Sequence, residues 1–288
     1  MNITLRKKSN RLEPKSSQKR IWELDFLRGV CVLLMVFDHF MYDIADLFDT
    51  AWIATGKESV IQIVRLAQAY INASTLRATT QNIVVWIFAL LCGISCSFSR
   101  SNLKRGVQAS IIAGIITIVS YYMGVDIKFG ILHMFAFSIL LWWLIDTICC
   151  HNKMITAGVC LFVGVMIITM NQGFMATYES NMRAFSDDNH LYFIGEFMLG
   201  DKPNFFSGDY YPIFPTTGYM LIGATLGVLI YPKKKSLLPH LGKYDWYKPF
   251  SFWGKIAIWV YALHQVVVVV LLALISFIFI TPGDFVII

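Results

Sequence analysis

Charged residues are scarce in this chain. Asp, Glu, Lys and Arg make up 15% of its 288 residues and hydrophobic ones 57%. A soluble domain carries about 25% charged residues, so the composition excludes one and implies a polytopic membrane protein. Cysteines are few and unpatterned. Cys31, Cys92, Cys96, Cys149, Cys150 and Cys160 lie in or beside apolar runs. Cys92 and Cys96 are one turn apart, and two thiols do not complete a zinc site, so no metal is expected and the thiols read as buried and inert. A glycine-rich phosphate loop is also missing, because the contexts of Gly93 and Gly130 lack the strand–turn–helix pattern. The first 20 residues are basic and the first apolar run has no small-residue cleavage site, so no cleavable signal peptide is expected. The net charge of +6 would suggest nucleic acid in a soluble protein. Here it gathers in loops on one side of a membrane, and no nucleic-acid partner is expected.

What is present is a series of apolar runs of the roughly 17 to 25 residues that cross a bilayer. Seven spans are expected, at about 24–45, 82–98, 107–123, 129–148, 154–170, 213–231 and 256–280. The predicted fold class is an all-α polytopic membrane helix bundle with a cytoplasmic amino terminus. Residues 1–20 form a basic cytoplasmic arm, 21–280 a single transmembrane domain, and 171–212 a long acidic, aromatic outer loop. Between them, IVRLAQAYI reads as a short amphipathic helix at the outer surface. The arm and the loops 99–106, 149–153 and 232–255 are basic, which satisfies the positive-inside rule at every crossing. No internal repeat of the inverted-repeat transporter kind is visible.

The first span is the unusual one. Between Phe26 and Tyr42 it is almost wholly apolar, yet Asp25, Arg28, Asp38, His39 and Asp43 lie within it or at its ends. Charges inside a span cost a few kcal/mol each and usually face a bundle interior or a watery cavity. Arg28 and His39 are eleven residues apart, within about 20° of three full turns, and so share a face about 16 Å apart along the axis. Asp25 is one turn below Arg28, and Asp43 is four residues beyond His39. That layout places a polar path across the membrane.

Five segments in order, ELDFLRGVCVLLMVFDHF, WIFALLCGISCSFSRSNLKRG, FGILHMF, DYYPIFPTTGYMLIGATLG and IWVYALHQ, resemble the bacterial members of the heparan-α-glucosaminide N-acetyltransferase catalytic-domain family. That family is similar in turn to the acyltransferase-3 proteins. The resemblance covers about residues 20–280. It implies an acyl-CoA-dependent transmembrane acetyltransferase in the bacterial cytoplasmic membrane. Acetyl-CoA would be the donor, and a saccharide or glycoconjugate on the outer side would accept through an amino or hydroxyl group. The Arg and His that acyltransferase-3 proteins carry on the first span fall on Arg28 and His39. The eukaryotic heparan enzyme has Asn at the position of His39, and its essential His falls about a dozen residues later, where this chain reads Asp49-Thr50-Ala51-Trp52.

Acyl transfer needs a base for the acceptor's proton or a nucleophile to carry the acyl group. Histidine does either near neutral pH. His39 is the candidate, with Asp43 at i+4, or Asp38 beside it, to hold its ring; a packing histidine is the alternative. Arg28 either contacts a coenzyme phosphate or pairs with Asp25. On the expected coenzyme side lie Arg100, Lys104, Arg105, the lysines 233–235 and His264; positive-inside loops are basic in any case. His133 and Asp38 are the acceptor-side candidates, and helix packing would equally explain His133 and His264. A secondary transporter or flippase using the Asp/Arg/His path is the rival reading. A retinal protein is disfavoured, because the last span has no interior lysine. Lipid is a partner by class, and homo-oligomerisation is left open.

Overall fold

The structure is a computed structural model and describes residues 20–122, 124, 127–181 and 209–279. Most of the basic arm and residues 182–208 of the expected outer loop lie outside the described residues. Among the described residues ten α-helices follow in chain order: α1 (Trp22–Tyr42), α2 (Asp49–Ala54), α3 (Glu58–Asn72), α4 (Ser74–Phe98), α5 (Asn102–Tyr122), α6 (Ile131–Ile148), α7 (Lys153–Asn181), α8 (Ile213–Ile230), α9 (Lys248–Lys255) and α10 (Ala257–Phe279). No strand occurs among the described residues. Backbone groups in hydrocarbon must be satisfied within their own segment, so even the five valines Val266–Val270, a strand-like run in water, stay helical in α10.

Six of these helices are long and apolar enough to cross a membrane: Thr75–Phe98, Asn102–Tyr122, Ile131–Ile148, Lys153–Met170, Ile213–Ile230 and Ala257–Ile278. With its 21 residues α1 is about 31 Å long, also a spanning length. It stands apart through its charge, since Glu23, Asp25, Arg28 and Asp38 all lie on it. Three helix ends differ from the sequence expectation. α4 starts at Ser74 because α3 passes directly into it at Ala73, α5 starts at Asn102, and α7 continues to Asn181.

Close helix crossings are made by glycine. A Cβ on Gly93 would collide with the Met220 carbonyl, and one on Gly223 with the Leu90 carbonyl, so α4 and α8 touch backbone to backbone. Gly164 and Gly218 do the same for α7 and α8 at 2.8–2.9 Å. Small residues let membrane helices approach this closely where lipid gives no hydrophobic drive. Around α8 the main core collects Met134, Met220, Leu221, Ala89 and Ala224, with Ser138 bonded to Thr217 at 2.8 Å. A second core lies where α1 ends. A π-helical turn at Asp43–Leu47 leads into α2 and α3, and Phe48, Trp52, Val60 and Val64 pack on Val268 and Leu272 of α10. The Trp52 indole N–H closes it by donating to Ser276 Oγ at 2.7 Å.

At the opposite end, α9 lies across the start of α1. A Cβ on Gly29 would strike the Phe250 carbonyl, and one on Gly254 the Asp25 carbonyl. Phe252 and Trp253 on α9 are exposed between Lys248 and Lys255, the pattern of a helix seated in the membrane interface. Because α9 is pinned to α1 there, α10 rises beside α1 from a fixed level.

Candidate functional site

The pinned α1, together with α4, α5, α6 and α10, encloses a cavity of about 900 Å³. It runs the length of α1, from Arg20 and Asp25 to Asp38 and His39. Its two ends differ in chemistry. At the end formed by the start of α1, the end of α4 and the start of α5 it is lined by Arg20, Arg28, Arg105, Lys234 and Lys255, with Asp25 as the carboxylate. Arg28 donates to Asp25 Oδ1 at 2.7 Å and to Ser95 Oγ at 2.9 Å. Arg105 Nη1 donates to the Ser95 carbonyl and to Asn102 Oδ1, both at 3.2 Å, which holds it at the junction of α4 and α5. Lys234 Nζ donates to the Phe98 carbonyl at 3.0 Å. Arg100 and Lys104 are exposed at the same end and do not line the cavity.

Polar side chains from five separate segments meet at the other end. Asp38 accepts from Arg77 Nε at 2.7 Å and Arg77 Nη2 at 2.8 Å, and from the Tyr70 hydroxyl at 3.1 Å. Gln81 donates to the Tyr211 hydroxyl at 3.0 Å. Asp209, just ahead of α8, accepts from the Tyr261 hydroxyl. It enters because residue 130 is glycine, where a Cβ would sit 2.7 Å from Asp209 Oδ2. Burial pushes the Asp209 carboxyl above its ordinary range, against the pull of the Tyr261 hydrogen bond.

His39 lies in this half. Its Nδ1 is 3.0 Å from the Met35 carbonyl. A carbonyl only accepts, so Nδ1 carries the proton and Nε2 presents its lone pair. Met35, not Asp43, therefore fixes the tautomer. At the start of the π turn Asp43 is turned to α10, where Gln265 Nε2 donates to both its oxygens at 2.8 and 3.0 Å.

His264 is placed differently from the sequence expectation. Its ring packs on His39 at 4.7 Å between centroids, away from the cationic end. The reason is the common ruler: Gly254 is level with Asp25 and Gly29, and the ten residues from Gly254 to His264 reach the same height as the ten to fourteen from Gly29 or Asp25 to His39. His133 does not line the cavity. The Gly130 N–H donates to its Nδ1 at 3.1 Å, and Nε2 reaches Thr117 Oγ1 on α5 at 3.1 Å, so it caps α6 and ties two helices together.

Arg77 and Tyr70 are cavity groups that the sequence reading did not single out, whereas Asp209 and Tyr211 belong to the acidic, aromatic outer loop and Tyr261 to the last span beside His264. Among the described residues no His, Cys, Asp or Glu cluster could hold a metal ion.

A family model described as heparan-alpha-glucosaminide N-acetyltransferase, catalytic, matches residues 20–266. The chain belongs to that family. It is therefore a multi-pass member of a membrane acetyltransferase family. No curated protein and no solved structure matches the chain. In this heparan-α-glucosaminide N-acetyltransferase family member every residue lining the cavity, from Arg20 to Tyr261, falls within the matched stretch. The five cations at one end suit an anionic donor. The His39 lone pair at the other suits removal of a proton from an acceptor.

Proposed function

We propose that the protein moves an acetyl or similar acyl group from cytoplasmic acetyl-CoA to an amino or hydroxyl group of a saccharide on the outer face of the bacterial cytoplasmic membrane. The observation that carries this reading is the cavity itself. It is cationic at one end, holds an unbonded imidazole lone pair about 16 Å along α1, and belongs to an acetyltransferase family. The basic helix ends support a cytoplasmic placement for the cationic mouth, and α1 then counts as the seventh span. Arg28 and Arg105, with Arg20, Lys234 and Lys255, take the coenzyme phosphates. The thioester points up the cavity between α1 and α4. His39 Nε2 removes the proton from the acceptor as its nitrogen or oxygen attacks the thioester carbonyl. The carbon–sulfur bond breaks, the sulfur leaves with the electron pair, and the proton passes on to the thiolate. Asp38, held by Arg77 and Tyr70, presents carboxylate and hydroxyl edges that suit a sugar. The family assignment favours this chemistry over a transporter using the same path.

The test is transfer from labelled acetyl-CoA to a panel of amino and neutral sugars by purified protein. His39→Ala is expected to lower transfer by about 10²–10⁴-fold, the range of a general base, while acetyl-CoA still binds. Transfer that survives the substitution removes His39 from its role. Failure of the wild type to bind acetyl-CoA would overturn the reading.

A further inference from the structure

Many apolar side chains lining the cavity are buried, as Val32, Val85, Phe135 and Ile139 are at 2–7% exposure. Exposed residues line it in two places. Arg20, Gln108, Lys255 and Ile258 do so towards the cationic mouth. Leu34 and Phe37 of α1 and Leu76 of α4, at 43%, 48% and 76%, do so between those two helices, together with Thr80. Thr80 is apolar in effect, because its hydroxyl donates to the Leu76 carbonyl at 2.8 Å. Each edge residue but Leu34 is followed directly by a polar cavity residue: Phe37 by Asp38, Leu76 by Arg77 and Thr80 by Gln81. One residue is a rotation of about 100°, so an apolar outer row borders a polar inner row on both helices. An ordinary lipid-facing leucine has a packed helix behind it. These have the cavity.

We propose that the acceptor is a lipid-linked saccharide. Its sugar enters sideways between α1 and α4 to reach Asp38, Arg77 and Gln81, and its hydrocarbon chain stays in the bilayer along Leu34, Phe37 and Leu76. Depth supports a lipid. Leu34 is eight residues from the Tyr42 end of α1, about 12 Å along the axis, and the hydrocarbon layer is about 30 Å thick. The opening therefore reaches acyl chains, from which a free sugar does not approach. At the end of α1 itself, α2 and α3 pack onto α10. A chain lying against Leu34 and Leu76 exchanges one apolar neighbour for another at little cost. The selectivity then rests with the polar row, and the chain holds the sugar beside it at a high effective concentration. With the function proposed above, on which this rests, His39 receives an amphiphilic acceptor.

The entry is tested on the full-length protein in nanodiscs with hexadecyl glucosaminide carrying a diazirine in its chain. Crosslinks are expected on α1 near Leu34 and on α4 near Leu76. Excess unlabelled hexadecyl glucosaminide should remove them, and hexadecanol, the same chain without the sugar, should not. Crosslinks spread equally over these sites and the exposed face of α5, or removed equally by hexadecanol, would overturn the proposal. Leu34→Trp and Thr80→Trp narrow the opening from either side and should each lower the competed yield several-fold, with a thermal melt to show that the fold survives. An unchanged yield in both folded variants also sinks it. Labelling needs no acetyl-CoA. Competed labelling without any acetyl transfer would thus remove the donor reading and leave the sideways entry standing, whereas uncompeted labelling with transfer to free glucosamine removes only the entry. In the active protein, kcat/KM for hexadecyl glucosaminide is expected to exceed that for glucosamine by about 10²-fold. Equal values would count against a lipid-linked acceptor and overturn it.

Discussion

Arg77 grips Asp38 with two hydrogen bonds, and the two side chains are 21% and 15% exposed. A bidentate pair so shielded is stronger than a surface ion pair, and removing one partner strands the other charge. A double-mutant cycle on Asp38→Asn and Arg77→Gln, read by thermal unfolding in detergent, is expected to give a coupling of about 1–2 kcal/mol. Additive effects would show that the pair does not hold the end of the cavity opposite the cations together. Arg77→Gln alone should raise KM for the acceptor more than KM for acetyl-CoA, because Asp38 loses its orientation far from the cationic mouth. Arg28 and His39 were legible as residues because each interrupts an apolar run at matching helical phase. Arg77 was not. It sits in the first turn of a helix whose start, without proline or a cap motif, reads as loop up to about residue 82. Tyr70 lies on α3 and Asp209 and Tyr211 just ahead of α8, and no spacing within one helix brings these two segments to Asp38.

Among the elements, α9 has the largest leverage for its eight residues. It sets the level from which α10 rises and carries Lys255 into the cationic mouth. Its contact with α1 depends on Gly29 and Gly254, each facing a backbone carbonyl that cannot move aside. Gly254→Ala is therefore expected to destabilise the protein by about 1–3 kcal/mol through overpacking and to weaken acetyl-CoA binding. Gly158→Ala on α7 is the control. A Cβ there meets nothing within 4 Å, and alanine favours a helix, so stability should hold or rise slightly in the same melt. Equal effects of both substitutions would mean that the α1–α9 crossing is looser than its glycines imply. The helices themselves were legible because apolar length alone dictates a helix in lipid. Their pairing was not, since which glycine faces which carbonyl depends on rotations that one sequence does not encode visibly. The π turn at Asp43–Leu47 shows the same limit. Regular 3.6-residue phasing placed Asp43 under His39, whereas the turn delivers it to Gln265.

At the scale of the whole molecule the separation of charge is what gives the cavity a direction. Cations cluster where α1, α5, α7 and α10 begin and where α4, α6 and α8 end. The opposite end is mixed and acidic on balance, with Asp38, Asp43, Asp46, Asp49, Glu58 and Asp209 against Lys57, Arg65, Arg77 and Lys128. Only the first end can receive a cytoplasmic coenzyme if the positive-inside rule sets the orientation. Cys150 is exposed in the turn between α6 and α7 at that end, while Cys31, Cys96 and Cys160 are buried. A membrane-impermeant maleimide should therefore leave Cys150 unlabelled in intact cells and label it after permeabilisation, with Cys150→Ser as the blank. Ser59, exposed on α3 at the far end, gives the complement. Ser59→Cys in the Cys150→Ser background should react in intact cells. The reverse pattern would put the cationic mouth outside, where no acetyl-CoA is supplied. The cavity would then have to work from acceptor to donor in the opposite sense, and the proposed path of the acetyl group would fall.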